Sequence, residues 1–264
     1  MTRLIDLTYP IDPAFRDMVP LPELAKIVGP TVEWATHTGA GRDMLVSFFG
    51  CSPEDLPDGE GCAGEELNSF GTHCGTHVDA PWHSGSVSEG KPARKISDID
   101  LSELYAPGMV LDVREWARPG EAIPVDALKA AVAATGRDIH SGGAVLIRTG
   151  QEQYPISDLR YFNYPGMSAE GTRFLTDQGA KILGTDGMGW DRPIPAMAKA
   201  YKETGDRRHI WDGHYTIRDK EAFIVQQMDN LAALPPSGFT VGFFPLKLIG
   251  MSAAPARVIA FLDD

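Results

Sequence analysis

Eleven consecutive residues, His73-Cys74-Gly75-Thr76-His77-Val78-Asp79-Ala80-Pro81-Trp82-His83, hold three of the chain's seven histidines together with a carboxylate, a thiol and two backbone-bending residues. No single regular element can gather these donors. On an α-helix His73 and His77 would share a face, but Asp79 would point about 200° away from His77. On a straight strand the odd positions share a face, yet ten steps of roughly 3.3 Å spread the histidines over about 33 Å, against metal–ligand bonds of about 2 Å. The segment has to curl. Gly75 is free to take the φ values of a tight bend, and Pro81 stops a helix from running through it. Two imidazoles and a carboxylate converging from a bend, with coordination positions left open, form the donor set of a catalytic rather than a closed structural site. A lone His or Asp in a loop more often caps or hydrogen-bonds, but four in one bend would need four separate explanations. Cys74 alternates with the proposed ligands and reads as a small buried residue.

A chain of 264 residues suits one large domain or two small ones, and 43% hydrophobic with 23% charged residues is ordinary globular composition. The formal net charge of −12 argues against nucleic-acid or anionic-membrane partners. Three scattered cysteines fit reduced thiols and a cytoplasmic setting. The N-terminus lacks a charged leader followed by an apolar run, and no eighteen apolar residues run together, so neither secretion nor membrane spanning is expected.

Periodicity predicts a mixed α/β chain without repeats. Residues 3–8 alternate as a strand, followed by a Pro-rich extended loop region over about 10–40 that reaches the surface or a partner subunit. Residues 44–49 read as a second strand, 54–64 as a solvated turn region, and 66–71 as a short strand leading into the bend. Residues 109–113 and 144–148 are apolar runs that fit buried strands. Between them residues 124–134, with a Pro near the start and Gly136 past the end, form a helix. Ser168 caps a helix that Gly179 ends. Residues 181–184 are a strand, 195–203 a helix, and 222–227, 240–244 and 257–262 strands.

The bend matches H-x-G-T-H-x-D-x-P-x-H in full and so resembles the metal-dependent cyclase family, which includes bacterial kynurenine formamidases (arylformamidases) and isatin hydrolases. Further blocks resemble that family in order: Arg3-Leu4-Ile5-Asp6-Leu7-Thr8-Tyr9-Pro10-Ile11, with Tyr9 where His is usual, then Val145–Gly150, Pro165–Ser168, Gly184–Asp186 and Pro245–Lys247. The length and the Trp190-Asp191 region look more like the isatin hydrolase branch. The resemblance implies a swivelling β/β/α fold, with a mixed central sheet or barrel and surrounding helices, spanning residues 1–264 as a single domain. In two-metal members a distal His is followed twelve positions later by a Glu ligand; here His214 is followed by Gln226. An amide oxygen can meet a hard cation but cannot supply the charge that holds two divalent ions close together. One ion is therefore expected, on His73, His77 and Asp79, with Gln226 as a fourth ligand or a neighbour of the ligands. Mn²⁺ is favoured and Zn²⁺ is the alternative.

Such an ion brings water towards ionisation at neutral pH and polarises a carbonyl, so hydrolysis of an amide or ester needs no Ser or Cys nucleophile. His83, four residues beyond Asp79, is the expected proton carrier; its plainer reading is a hydrogen bond to Asp79. Trp82, Phe70 and Trp190, with Trp211, flank the expected site and could stack on a flat aromatic ring, although such residues are as often plain core. His214 is placed with the substrate contacts, open to a metal role. The resemblance implies opening of a cyclic amide such as isatin, with formamidase or lactonase activity as alternatives. A different class, a non-haem Fe(II) oxygenase using His77, Asp79 and His214, would leave His73 and His83 unexplained. A metal that merely staples the fold is weaker still, because the chain is long enough to bury its own core. The Pro-rich N-terminal region makes a subunit contact reasonable, so a homodimer or higher homo-oligomer is expected.

Overall fold

A computed structural model describes residues 2–262. Twelve strands are present among them: β1 (Arg3–Asp6), β2 (Thr31–Ala35), β3 (Gly64–Asn68), β4 (His77–Asp79), β5 (Val87–Ser88), β6 (Lys91–Pro92), β7 (Tyr105–Asp112), β8 (Ala144–Arg148), β9 (Ile182–Thr185), β10 (Phe223–Gln226), β11 (Ser237–Pro245) and β12 (Ala253–Leu262). Seven of them run in the order β12-β11-β7-β8-β9-β10-β4, and the short β4 closes the ring by pairing with both β10 and β12. β1 extends the sheet along β12, opposite residues 259–262.

The ring is mixed for a topological reason. β7, β8, β9 and β10 are mutually parallel, and parallel neighbours need a crossover. Helices Val125–Thr135 and Ala169–Asp177 supply the first two, and Ile194–Thr204 with Asp212–Thr216 lie in the third. The strands they cover are buried on both faces, which is why Ala144–Arg148 and Phe223–Gln226 read as continuous apolar runs. Val78, Leu146, Val225, Val241 and Ala254 pack in one cluster inside the ring, while Leu111, Val145, Leu183 and Ile224 pack outward against Leu128 and Leu175 of the helices. Helix ends follow the sequence signals: Gly136 closes its helix with φ +66°, and the Ser168 hydroxyl accepts from the Gly171 N–H at 3.2 Å.

Two expectations are corrected here. Residues 44–49 are not a strand but the end of helix Ala40–Phe49, which Gly50 terminates in the left-handed conformation. An apolar run is read as a strand when its side chains are taken to be buried, yet Phe48 and Phe49 are 77% and 76% exposed. The region written as extended loop carries short helices Phe15–Met18 and Ala25–Val28 and the strand β2, which pairs with β3. No helix among the described residues is long and apolar enough to cross a membrane.

Candidate metal centre

The site forms where β4 meets β10. Their antiparallel register sets Gln226 opposite His77 and Ile224 opposite Asp79. Because strand side chains alternate, Val78 and Val225 fill the inside of the ring while His77, Asp79 and Gln226 share its outer face. The Gln226 amide donates to Asp79 Oδ2. Upstream, Gly75 turns the chain with φ +63°, and a side chain there would collide with Ile11, whose Cγ1 lies 2.6 Å from where a β-carbon would stand. Downstream, Pro81 opens the one-turn helix Pro81–Ser84 that carries His83. The curl inferred from the sequence is thus a bend, a three-residue strand and a helical turn in succession.

The donors converge. His73 Nε2 lies 3.3 Å from Asp79 Oδ1 and 3.1 Å from His83 Nδ1, and His77 Nε2 lies 3.5 Å from the same Asp79 oxygen. His73, Asp79 and His83 each offer a ligand atom within 4.8 Å of the others, so the bend brings His83 into the same cluster as the expected ligands. His77 Nδ1 donates to the Gly75 carbonyl at 2.8 Å, which leaves Nε2 with its lone pair towards Asp79.

A second wall comes from helix Asp212–Thr216. His214 Nε2 points to Asp79 Oδ2 at 3.7 Å, and its Nδ1 donates to Asp191. The same Asp191 carboxylate accepts from the Gly213 and His214 N–H groups at 2.6 and 3.0 Å. Asp191 had no spacing signal in the sequence, lying 23 residues from His214. Trp211, with φ +50°, stacks on the His214 ring at 4.4 Å and meets the His83 ring edge-on at 5.0 Å.

Burial and charge act in opposite directions. Burial alone would raise Asp79, but His77, His83, His214 and His73 hold its carboxyl well below the usual range. Burial pushes His77 down, with Asp79 opposing, and takes His83 down to about 4. Burial would also lower His214, but Asp191 and Asp79 outweigh it and raise the imidazole to about 9.

His77 Nε2, Asp79 Oδ1 and His214 Nε2 are buried without a hydrogen-bond partner. Each such atom costs on the order of 1–3 kcal/mol, and all three face one space. The donor set fits a divalent cation, with nitrogen and oxygen ligands from His73, His77 and Asp79 and with His83 and His214 at its margin.

The aromatic expectations divide. Trp190 is fully buried in the outer core, its indole N–H bonded to Thr172 Oγ1 at 2.9 Å, so it is not a substrate contact. Trp82 is 41% exposed with the Lys95 ammonium 4.8 Å above its ring. Phe70 is half-buried ahead of the bend. Trp211 is the tryptophan that meets the histidines. Cavities of about 370 Å³, lined by Pro107, His140 and Phe239, and about 150 Å³, lined by Asp112, Arg148 and Leu234, open elsewhere on the molecule.

The Cyclase family model matches residues 5–192, well over half of the described chain. The chain belongs to the Cyclase family. It is similar to the isatin hydrolase of Roseibium aggregatum, with 26% identity over 213 residues covering 73% of each chain. It is similar also to the kynurenine formamidase of Sphingopyxis alaskensis, with 25% identity over 202 residues, 76% of this chain and 82% of that one. Among solved structures, isatin hydrolase A from Ralstonia solanacearum superposes with a TM-score of 0.74 at 22% identity, covering 99% of this chain and 92% of the other. The family and the mixed closed-sheet fold implied by the bend motif are therefore both present, and the cyclase relatives are hydrolases of C–N amide bonds.

Proposed function

We propose that this cyclase-family protein hydrolyses the C–N amide bond of a small cyclic aromatic amide, isatin being the leading candidate, with one divalent ion, Mn²⁺ before Zn²⁺. The observation that carries the reading is the set of three buried, unpartnered atoms on His77, Asp79 and His214 facing one space beside His73 and His83. An ion held there brings water towards ionisation near pH 7 and polarises the amide carbonyl.

The chain's own residues do the rest. His73, His77 and Asp79 hold the ion, and Gln226, by donating to Asp79 Oδ2, fixes the carboxylate and leaves Oδ1 for the ion. His83, partly exposed at the mouth with Nδ1 against His73, carries the proton from water to the leaving nitrogen. The Trp211 ring beside His83 and His214 gives a flat substrate a stacking face.

A second reading has support of its own. Identity to the kynurenine formamidase is nearly that to the isatin hydrolase, so an aryl formamide or an aromatic lactone could fill the same cup. The convergence of His77 and His214 on Asp79 is also what a two-His-one-carboxylate oxygenase would need, but the relatives are hydrolases. The deciding experiment measures bound metal by mass spectrometry and screens isatin, N-formylkynurenine and aromatic lactones, with and without oxygen. Oxygen-independent opening of isatin with Mn²⁺ or Zn²⁺ bound is expected. Turnover of none of the three classes by metal-loaded protein would reject the reading. We propose too that a second copy of the chain covers the exposed apolar residues Trp34, Phe48 and Phe49.

A further inference from the structure

We infer that Gln227 is a positioning residue: it clasps the bend at both ends and so holds His73, the metal ligand that no strand supports, beside Asp79. That an ion feels the clasp rests on the metal reading proposed above; the clasp itself does not.

The three expected ligands are not held alike. His77 and Asp79 sit on β4, whose backbone is bonded to β10 on one side and β12 on the other. His73 lies four residues upstream, outside any strand, and its side chain is part-exposed where those of His77 and Asp79 are buried. Its carbonyl accepts from the side-chain Nε2 of Gln227 at 3.3 Å. A carbonyl can only accept, so the amide nitrogen has to face His73, and the amide oxygen is left to accept from the Tyr161 hydroxyl at 3.2 Å. The Gln227 carbonyl accepts from the hydroxyl of Thr76 at the far end of the bend, and its N–H donates to the Gly187 carbonyl at 2.9 Å. The same Thr76 hydroxyl accepts from the Tyr9 N–H at 2.7 Å, which keeps it from turning away. One buried residue thus ties both ends of the bend with all of its polar atoms in use.

The backbone points the same way. Gln227 follows β10 with φ +55°, a region that glycine enters freely and glutamine rarely. Along a strand successive side chains face opposite ways. The left-handed turn breaks that alternation, so from one strand end Gln226 reaches Asp79 and Gln227 reaches His73. A strained residue of this kind persists where its surroundings over-determine it, and its side chain is what a glycine could not supply.

Zinc is the probe. Gln227→Gly keeps the backbone bonds and relieves the left-handed φ, while Gln227→Met fills much of the same volume without an amide. In competition with a chromophoric chelator, both variants should bind Zn²⁺ about 10–100-fold more weakly than the parent, the range for losing a group that orients a ligand. In the metal-free proteins, hydrogen exchange should quicken about tenfold over residues 72–76 and stay within roughly twofold over residues 224–226. A residue that only filled space would lower the melting temperature in the Gly variant and leave zinc affinity intact in the Met variant. Tyr161→Phe frees the amide oxygen but leaves the nitrogen on His73, so it should weaken zinc less; it keeps the test open if neither Gln227 variant folds. Zinc affinity within about threefold of the parent in every variant that folds, or unchanged exchange over residues 72–76, would overturn the inference. Parent protein that binds no zinc, with the bend still opening faster in the variants, would reject the metal reading and leave the clasp standing.

Discussion

Gln226 stands directly across the β4–β10 pair from His77, and its side-chain amide donates to the Oδ2 of Asp79 two residues further along the partner strand. A neutral donor here neutralises part of the Asp79 charge without adding any. Gln226→Glu would instead set two carboxylates against each other, a repulsion that a second cation relieves. Bound metal should rise from about one towards two per chain. After chelation the variant should melt several degrees below the parent, and metal should restore it; stoichiometry fixed at one would show that charge does not limit the site.

His83→Ala removes the imidazole that touches His73 at 3.1 Å without altering β4. Turnover should fall about 10²–10⁴-fold, with metal content close to that of the parent. Loss of metal in proportion to loss of rate would instead make His83 a ligand.

Trp190 and Trp211 should separate cleanly. Trp190→Phe strands the Thr172 hydroxyl in a core position and should cost about 1–3 kcal/mol in denaturant melts with KM unchanged. Trp211→Ala removes the ring facing His83 and His214 and should raise KM for an aromatic substrate about five- to tenfold, the worth of one stacking contact. Equal KM effects in the two variants would remove Trp211 from the substrate face.

Acid stability should depend on Arg94, which makes a fork to Glu103 at 2.7 and 2.9 Å and a second to Glu221 at 2.6 and 3.2 Å, with Lys181 also on Glu221 at 2.9 Å. The Arg94 bonds lower Glu103; burial would raise Glu221, but Arg94 and Lys181 outweigh it and lower it too. Folded-state values below 4.5 mean that this stabilisation is complete above the unfolded carboxylate value and is lost as pH falls through the folded one. Arg94→Met should cost about 1–3 kcal/mol at pH 7, and its urea midpoint should change less than that of the parent between about pH 5 and 3. Parallel pH curves for the two proteins would assign the acid sensitivity to other groups.

Phe48→Glu with Phe49→Glu places charge on the most exposed apolar residues of the N-terminal region. Light scattering should show the parent as a dimer or larger and the variant as a monomer at micromolar concentration. An unchanged mass would mean that a second copy does not sit there.

Much of this was legible in the sequence where chemistry and periodicity agree. The 73–83 bend announced itself because no regular element could use its residues, and the parallel strands did so because burial on both faces leaves an unbroken apolar run. Helix 40–49 was misread because Met44-Leu45-Val46 beside Phe48-Phe49 looks like a core run, and only Gly50 marked a helical end. Trp190 and Trp211 look alike in a sequence; which one faces the histidines depends on how the chain passes β9 and β10. Asp191 stood out only as part of the Trp190-Asp191 stretch that resembles the isatin hydrolase branch; its contact with His214 had no local pattern, since Gly213 and His214 are joined to it only by the crossover.

β4 is three residues long and owes its lateral bonding to residues 224–226 on one side and 253–255 on the other. During synthesis neither flank exists until most of the chain has left the ribosome, so the imidazoles of the bend emerge long before anything holds them in place. Assembly of the cup is therefore a late folding event bound to ring closure, set by contacts far apart in the chain. Until then those ligand groups are open to whatever cation the surrounding solution offers.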